Sequence, residues 1–241
     1  MKGDDAFGRA LLDEVEGRAG GVVVVERDDG YVFQEGRGGF YEAPFRRWEP
    51  HERGAMRFCR GRALDVGCGA GRVTLELQRR GRDVVAIDVS PLAVEAARRR
   101  GVRDARVLAL EDVEGALGAF DTVVLYGNNL GLLGSRTKAR RILRRLHAVT
   151  TPRGRILGAE LDVGTSDDPD HLAYFERNTR RGRLPGQVRF RVRYRRLASS
   201  WFDWLFLSKA ELEEIVSGTG WHAARYVDAS GGRYVVVLEK D

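Results

Sequence analysis

The feature that most constrains the fold is an alternation of short apolar runs with helix-like segments between about residues 61 and 162. The apolar runs are four to seven residues long and lack regular polar alternation, which is typical of strands buried on both faces. Because helices separate these strands, they predict a parallel sheet covered on both sides, a doubly wound α/β domain. Strands are expected at 63–66, 83–87, 106–110, 122–126 and 155–161, and helices at 72–80, 91–100 and 135–149.

The C-terminal part of the chain departs from this rhythm. Ser208 and Glu211 have the spacing of a capping box at the start of a helix over 210–216. Two further strands are expected at 222–227 and 233–238. The Ser-Gly-Gly link between them is too short for a parallel crossover, so these two strands are predicted to be antiparallel.

Two stretches fall outside the sheet pattern, and we expect them to lie together as a cap over the open edge of the sheet. The first contains a predicted hairpin with strands at 22–26 and 31–33 around an Asp-Asp-Gly turn. The second holds an acidic loop, an arginine-rich stretch and a strand at 188–195 in which apolar residues alternate with arginines. The predicted domains are a cap segment at 1–58, an α/β domain formed by 59–162 and 208–241, and a cap insert at 163–207.

The most informative segment is Asp65-Val66-Gly67-Cys68-Gly69-Ala70-Gly71, which links the first strand of the sheet to the first helix. Glycines in such a loop allow positive φ angles and let a ligand approach the backbone closely. In open α/β sheets, nucleotide-like ligands bind at a loop of this kind. The pattern therefore favours a cofactor site over a tight turn without a ligand.

Acidic residues near this loop narrow down the ligand. A dinucleotide site has Gly-x-Gly-x-x-Gly, but here the third glycine comes one residue early, and no Gly-Lys-Ser/Thr follows as in a P-loop. Asp65 would repel a pyrophosphate but suits a cationic group. Asp88, 17 residues after Gly71, suits ribose hydroxyls. A phosphate-free nucleoside with an ammonium and a sulfonium satisfies both carboxylates, and S-adenosylmethionine is such a molecule.

These motifs resemble those of class I S-adenosylmethionine-dependent methyltransferases. Residues 63–72 resemble the first family motif, 86–90 the second, and 120–124 the strand that follows the adenine contact. The resemblance covers about residues 60–162 and 208–241. It implies a Rossmann-like sheet of seven strands, mostly parallel with an antiparallel last strand, and an enzyme with S-adenosylmethionine as its cofactor.

The resemblance also implies a role for each matching residue. The glycine backbone would line the methionine moiety with Asp65 near its amino group, and Asp88 would hold the ribose. Glu111 and Asp112 would lie by the adenine, with Asp112 favoured for the exocyclic amine, and the segment 126–129 would face the sulfonium. The predicted cofactor contacts are Asp65, Gly67, Cys68, Gly69, Gly71, Asp88, Val89, Glu111, Asp112, Tyr126, Gly127, Asn128 and, at the cofactor carboxylate, Arg46.

The segment Gly-Asn-Asn-Leu-Gly-Leu at 127–132 resembles that of small-molecule methyltransferases such as glycine N-methyltransferase. It lacks the prolines of the Asn/Asp-Pro-Pro-Tyr motif in enzymes that methylate exocyclic amines of DNA bases, which argues against that activity. The predicted function is methyl transfer to a small-molecule acceptor, with an anionic metabolite or a natural-product intermediate as candidates. The acceptor atom (O, N or C) stays open.

Candidate acceptor contacts come mainly from the two cap stretches. Guanidinium groups suit an anionic acceptor, and the aromatic residues of the first stretch either pack the cap or line the pocket. The predicted acceptor contacts are Tyr41, Trp48, Asn129, Tyr174, Arg177 and Arg183. The candidate catalytic bases are His51 and His171, followed by Glu160 and Asp162 at the end of the fifth strand, whereas His147 is assigned a structural role.

Composition bears on partners and location. The net charge of +6 permits nucleic acid as a partner without favouring it. Two alternatives remain open: an RNA or protein methyltransferase that uses the arginine-rich stretch 177–196, and a non-catalytic binding module. No apolar run reaches the ~18 residues of a membrane-spanning helix, and the first residues lack a signal-peptide core. Cys59 and Cys68 form no disulfide framework or metal motif, so a cytoplasmic protein without a metal is expected; the oligomeric state is left open.

Overall fold

In the computed structural model of the protein, the described residues are 4–18, 20–35, 39 and 41–241. The helices are α1 (Ala6–Val15), α2 (Pro50–Ala55), α3 (Arg72–Arg79), α4 (Pro91–Arg99), α5 (Arg136–Ala148), α6 (Pro169–Arg180) and α7 (Lys209–Val216). The strands are β1 (Val23–Arg27), β2 (Val32–Glu35), β3 (Ala63–Val66), β4 (Val84–Asp88), β5 (Ala105–Val107), β6 (Phe120–Leu125), β7 (Thr150–Leu161), β8 (Gln187–Tyr194), β9 (Leu197–Ala198), β10 (Phe202–Leu205), β11 (Trp221–Asp228) and β12 (Arg233–Lys240). Across these ranges, no helix is long and apolar enough to cross a membrane.

The strands form two sheets. The larger has seven strands in the order β11-β12-β7-β6-β3-β4-β5, and the smaller has the order β10-β8-β1-β2 with β9 beside β8. In the larger sheet β4 is parallel to β5 and β6 is parallel to β7, whereas β12 is antiparallel to both of its neighbours. The predicted α/β fold with seven strands and an antiparallel last strand is confirmed.

Two strands differ from the sequence prediction by three or more residues at one end. The strand expected over 106–110 ends at Val107, and a 3₁₀ turn begins at Leu110. The strand expected from Arg155 begins at Thr150, because the pairing with β6 shifts register between Phe120 and Thr122 and so accommodates the extra residues. Pro152 falls in this irregular part, where the ladder does not need its missing N–H.

Three helices were missed in the stretches outside the sheet pattern, α1, α2 and α6, and two of them, α1 and α6, begin at a side-chain N-cap. The acidic loop predicted around 167–170 is instead the beginning of α6, where the Asp168 side chain accepts a hydrogen bond from the Asp170 N–H and Pro169 occupies the first helical position. Helix α1 begins in the same way, with the Asp5 side chain accepting from the Gly8 N–H. Both starts carry an N-cap signal, so the sequence contained the information that was overlooked.

Contacts along the chain define two compact units. The first comprises Met1–Trp48, Leu64–Ala109 and Arg189–Phe202, and the second comprises Glu49–Ala63, Leu110–Val188 and Asp203–Asp241. The predicted division into two cap stretches and an α/β domain stays a prediction.

In the first unit, β1 pairs antiparallel with both β2 and β8, so the N-terminal hairpin and the strand of the insert share a sheet. The alternation predicted for β8 is confirmed, since its apolar residues are buried. The Glu26 carboxylate of β1 accepts hydrogen bonds of 2.6 Å from both Arg191 and Arg193. These two arginines hold the pKa of Glu26 at about 2, below its usual value.

In the second unit, helix α7 has the predicted capping box, with reciprocal hydrogen bonds between Ser208 and Glu211. The buried Trp221 indole donates to the Leu143 carbonyl oxygen at 2.9 Å and thereby ties β11 to α5. Its ring also makes an edge contact with His147, 5.6 Å between centroids. These contacts support the structural role predicted for His147.

Candidate active site

The glycine-rich loop lies between β3 and α3 in the first unit. Gly67, Gly69 and Gly71 have φ angles of 66°, 53° and 82°, in the left-handed region that favours glycine. Gly71 is the most restricted, because a Cβ at this position would lie 2.5 Å from Cγ2 of Val102. The loop conformation predicted from the motif therefore depends on glycine at all three positions.

Cys68 contributes its main chain rather than its thiol to this loop. The side chain packs in a core cluster with Ala86, Val94 and Ala97. Burial raises the pKa of the Cys68 thiol well above its usual value. The predicted cofactor contact at this residue stays a prediction.

Asp65, at the base of the loop, is buried and accepts a hydrogen bond of 2.5 Å from the Thr74 hydroxyl. Burial raises the pKa of Asp65 to about 6, against the opposing effects of the Thr74 hydrogen bond and the positive charge of Arg72. A carboxyl group in this state gains from an added positive charge. An ammonium group of a ligand would supply that charge and favour the ionised form.

Asp88, at the end of β4, joins that strand to the glycine loop. Its Oδ2 accepts from the Gly69 N–H at 3.0 Å, and its Oδ1 accepts from the Ser90 N–H at 2.9 Å. Each carboxylate oxygen has a second lone pair for a further hydrogen bond, so the group retains capacity for ribose hydroxyls. Burial raises the pKa of Asp88, although the two backbone hydrogen bonds oppose that shift. Val89, the next predicted contact, has an exposed side chain.

Helix α1, which sequence reasoning missed, packs beside this region. Asp5 Oδ2 accepts from the Ser90 hydroxyl at 2.7 Å and from the Leu92 N–H at 3.2 Å, so one carboxylate serves the N-termini of both α1 and α4. Leu11 lies 3.6 Å from the position that a Cβ would take at Gly69. Helix α1 is therefore part of the wall around the glycine loop.

The two aromatic residues of the first unit that were predicted to bind the acceptor, Tyr41 and Trp48, form hydrogen bonds with nearby residues of the chain. The Trp48 indole donates to the Ala43 carbonyl oxygen at 2.8 Å, and the Tyr41 hydroxyl donates to Glu35 at 2.8 Å. The guanidinium of Arg72 lies 4.4 Å from the centroid of a buried Trp48 ring. Arg46 is exposed in the 3₁₀ turn Phe45–Arg47, whereas Arg72 is a buried cation directly after the loop.

In the second unit, the turn after β6 has two successive left-handed residues, Gly127 and Asn128, with φ of 70° and 62°. A buried carboxylate of α2 holds this turn: Oε1 of Glu52 accepts from the Gly127 N–H at 2.7 Å. The Tyr126 hydroxyl also donates to the main-chain oxygen of Glu52 at 3.2 Å. We name Tyr126-Gly127-Asn128-Asn129 the β6 turn. Sequence reasoning missed Glu52, because 75 residues separate it from its partner.

The two acidic residues predicted near the adenine differ in their surroundings. Glu111 pairs with Lys138, at 2.5 Å between Nζ and Oε1. Burial raises the pKa of Glu111, but the hydrogen bond and charge of Lys138 outweigh it and leave the pKa below its usual value. Asp112 is exposed at the end of the 3₁₀ turn Leu110–Asp112. Of the two, Asp112 is the better candidate for an adenine contact.

The two candidate histidine bases lie in different helices of the second unit. His51 is buried in α2. His171, in α6, has Nδ1 3.3 Å from the Ser166 hydroxyl and 3.9 Å from Oδ2 of Asp168. A catalytic triad uses one ring nitrogen for each partner. Because both partners lie on the same nitrogen, these three residues do not form one.

The residues of α6 and the following loop that were predicted to bind the acceptor interact mainly with neighbouring parts of the chain. Tyr174 is buried, with the Arg177 guanidinium 4.6 Å from its ring centroid. Arg183 donates to the Gln187 carbonyl oxygen at 3.3 Å. The Asn178 amide donates to the same oxygen at 2.8 Å and fixes the loop after the helix. The roles of Tyr174, Arg177, Arg183 and, in the β6 turn, Asn129 toward an acceptor stay predictions.

Comparison with known proteins agrees with the arrangement of the loop and sheet. A family model described as a methyltransferase domain matches residues 63–154. The chain is similar to the crystal structure of a SAM-dependent methyltransferase from Bacteroides fragilis in complex with S-adenosyl-L-homocysteine, with 26% identity, a TM-score of 0.83 and coverage of 98% of this chain and 94% of that chain. These similarities support a class I S-adenosylmethionine-dependent methyltransferase with S-adenosylmethionine as its cofactor.

Curated relatives match over a shorter region. The chain is 45% identical over 67 residues to the magnesium-protoporphyrin O-methyltransferase of Rhodobacter capsulatus, covering 26% of this chain and 30% of that protein. It is 40% identical over 81 residues to the ubiquinone biosynthesis O-methyltransferase of Methylocella silvestris, covering 31% of this chain and 32% of that protein. The chain thus matches about a third of the length of these relatives.

The glycine loop gives a first testable prediction. Gly71→Ala should destabilise the protein by roughly 2–5 kcal/mol, because a left-handed alanine is strained and its Cβ would overlap with Val102. Gly81→Ala is the matched control, since Gly81 has a φ of 74° and open space around its Cβ position. The free energy of unfolding of the control, measured by urea denaturation, should fall by only about 1–2 kcal/mol. Equal losses in the two variants would show that the contact with Val102 is unimportant.

A second prediction concerns Glu52. Glu52→Ala should destabilise the protein by about 1–3 kcal/mol, because the N–H of Gly127 would be left without its partner. Glu49→Ala tests the same region without this effect, as Glu49 is exposed and its side chain forms no capping hydrogen bond to α2. Chemical denaturation of both variants gives the comparison. A Glu52→Ala variant as stable as the Glu49→Ala variant would contradict the assigned role.

A third prediction concerns the pH dependence of stability. The pKa of Asp65 is about 6 when folded against 3.8 as its ordinary value, so the folded state binds more protons between these two pH values. The stability that the folded protein gains from protonated Asp65 is fully present below pH 3.8. It is lost as the pH rises through about 6, and the total loss in unfolding free energy is about 3 kcal/mol. Asp65→Asn should therefore gain stability relative to the wild type over this window. Unfolding free energies of both proteins at several pH values test this, and parallel curves would refute it.

Proposed function

We propose that the protein transfers a methyl group from S-adenosylmethionine to a small-molecule acceptor. The observation that carries the proposal is the loop of three left-handed glycines whose Gly69 N–H is bound by the Asp88 carboxylate. Such a loop admits a ligand close to the backbone, and the adjacent carboxylates suit a cationic nucleoside without phosphates. The names of the two curated relatives, both O-methyltransferases, support a small-molecule acceptor and favour oxygen as the acceptor atom.

In this proposal the residues of each unit have separate tasks. In the first unit, the glycine backbone lines the methionine moiety, Asp65 favours the amino group and Asp88 accepts from the ribose. Val89 would cover one face of the adenine. Arg72 is a better candidate for the cofactor carboxylate than the predicted Arg46, because it is buried beside the loop and held by the Trp48 ring. In the second unit, Asp112 would contact the adenine and the β6 turn would face the transferred methyl.

Methyl transfer requires mainly that the acceptor atom is aligned with the methyl group. When bound, S-adenosylmethionine supplies a methyl group that its sulfonium has already activated. The protein's residues orient the acceptor, exclude water and, for an acceptor with an O–H or N–H, receive its proton. Rigid positioning is consistent with the β6 turn, whose strained backbone is fixed by the Glu52 carboxylate.

The alternative of an RNA or protein acceptor gains no support from the arginine-rich strand. Arg191 and Arg193 share the Glu26 carboxylate, and Arg195 pairs with Asp13 at 3.2 Å. A surface that binds phosphates needs its positive charges uncompensated. We also place the protein in a reducing cytoplasm, since the buried Cys59 and Cys68 form no disulfide.

Calorimetry with S-adenosylhomocysteine tests the cofactor site. Asp88→Ala should weaken binding at least about tenfold, because hydrogen bonds to charged groups contribute about 1.5–3 kcal/mol. Asp104→Ala should bind as the wild type does, since Asp104 pairs with Arg106 on the surface. Turnover is then followed as S-adenosylhomocysteine release with phenols, amines and carboxylic acids as acceptors. Unchanged affinity in Asp88→Ala would count against the site.

A further inference from the structure

Glu160 lies near the end of β7, the strand that pairs with β6 directly before the β6 turn. Strands β6 and β7 are parallel, and Leu125 pairs with Gly158. Strand β6 ends at this pair, whereas β7 continues to Leu161, so Glu160 lies at the end of the sheet where the β6 turn begins. The end of β7 therefore brings an acidic side chain to the turn that the proposed function assigns to the transferred methyl.

The side chain of Glu160 lies on the face of β7 that packs against the 3₁₀ turn Asn129–Leu133, which follows β6 in the chain. Side chains two residues apart on a strand share a face, so Glu160 and Gly158 lie on the same side. A Cβ at Gly158 would be 2.8 Å from Cδ1 of Leu130. On β12, Tyr234 is the cross-strand partner of Glu160.

The carboxyl group of Glu160 is only half satisfied. It is fully buried, and its Oε1 accepts from the N–H of Leu161 at 2.9 Å. Its Oε2 has no hydrogen-bond partner among the described residues. The neighbouring Tyr234 hydroxyl donates instead to the Leu207 carbonyl oxygen, at 2.7 Å. A buried polar atom without a partner is costly, and this one therefore points to a donor that the described chain does not supply.

Among the described residues, no positively charged side chain pairs with Glu160. Burial raises the pKa of Glu160 well above its usual value; the hydrogen bond from the Leu161 N–H opposes this shift, and the negative charge of Asp162 adds to it. On α7, Lys209 lies 5.9 Å from the Tyr234 ring but pairs with Asp228 at 2.7 Å. Glu211 of the same helix is held in the capping box. An N–H or O–H donor from a ligand would complete the site.

We propose that Glu160 is the catalytic base of the methyl transfer, which binds the acceptor's nucleophilic N–H or O–H through Oε2 and takes its proton. This inference rests on the proposed function. The acceptor atom forms a bond to the methyl carbon, the carbon–sulfur bond breaks with its electron pair passing to sulfur, and the acceptor proton passes to ionised Glu160. The acceptor is therefore a hydroxyl or amine compound, because a carboxylate would face a like charge with no proton to give.

The test uses two cofactor analogues and needs no knowledge of the acceptor. Sinefungin carries an amino group on carbon in place of the methylsulfonium, so its ammonium takes the position of the transferred methyl and offers N–H donors there. S-adenosylhomocysteine has no group at that position. Calorimetry at pH 6 and pH 8 on the wild type and Glu160→Gln gives the affinity ratio of the two ligands. Glu214→Gln is the control, as the Glu214 side chain is exposed and pairs with Arg136 on the surface.

In the wild type, sinefungin should bind more tightly than S-adenosylhomocysteine, and its advantage should grow with pH as Glu160 ionises. Glu160→Gln should bind sinefungin at least about tenfold more weakly than the wild type, and this affinity should no longer depend on pH. Its affinity for S-adenosylhomocysteine should change less than about twofold. Glu160→Asp, which keeps the charge but retracts it, should retain the pH dependence with a smaller advantage. This second variant also serves if Glu160→Gln fails to fold.

Three outcomes would overturn the inference. An unchanged affinity ratio in Glu160→Gln would show that the ammonium does not meet Glu160. An equal loss for both ligands would assign Glu160 a structural role. If the wild type bound neither ligand, the proposed function would fail first and the inference with it. The first two outcomes leave the cofactor site intact, so the two failures are distinguishable.

Discussion

The candidate site depends on one kind of interaction, a carboxylate that accepts a hydrogen bond from the main chain of a left-handed turn. Asp88 binds the N–H of Gly69 in the first unit, and Glu52 binds the N–H of Gly127 in the second. Turns with positive φ are costly unless the surroundings hold them. In each case an acidic side chain from another segment of the chain supplies that restraint.

The parts of this site that the sequence predicts are those whose signals are local. The glycine loop, Asp65 and Asp88 follow one another along a single strand–loop–helix–strand segment, so spacing alone identifies them. Glu52 could not be found in this way, because its role depends on a contact between α2 and a turn that lies far along the chain. Helix α1 had a recognisable N-cap at Asp5, but its place beside Ser90 is set by tertiary packing.

The arginine-rich strand shows why charge counting is a weak guide to partners. Its alternating pattern predicts the buried and exposed faces of β8, and these agree with the structure. The pattern does not reveal that Glu26, on a strand more than 160 residues away in sequence, binds two of the arginines. Net charge describes the whole chain, whereas binding depends on the charges that remain uncompensated at one surface.

The left-handed conformation of Asn128 has a consequence for efforts to alter substrate preference by mutagenesis. Few residues other than glycine, asparagine and aspartate tolerate this backbone geometry. Most other substitutions at position 128 would consequently cost about 1–2 kcal/mol of stability. Diversity is better introduced in residues that leave the main-chain path of this turn undisturbed.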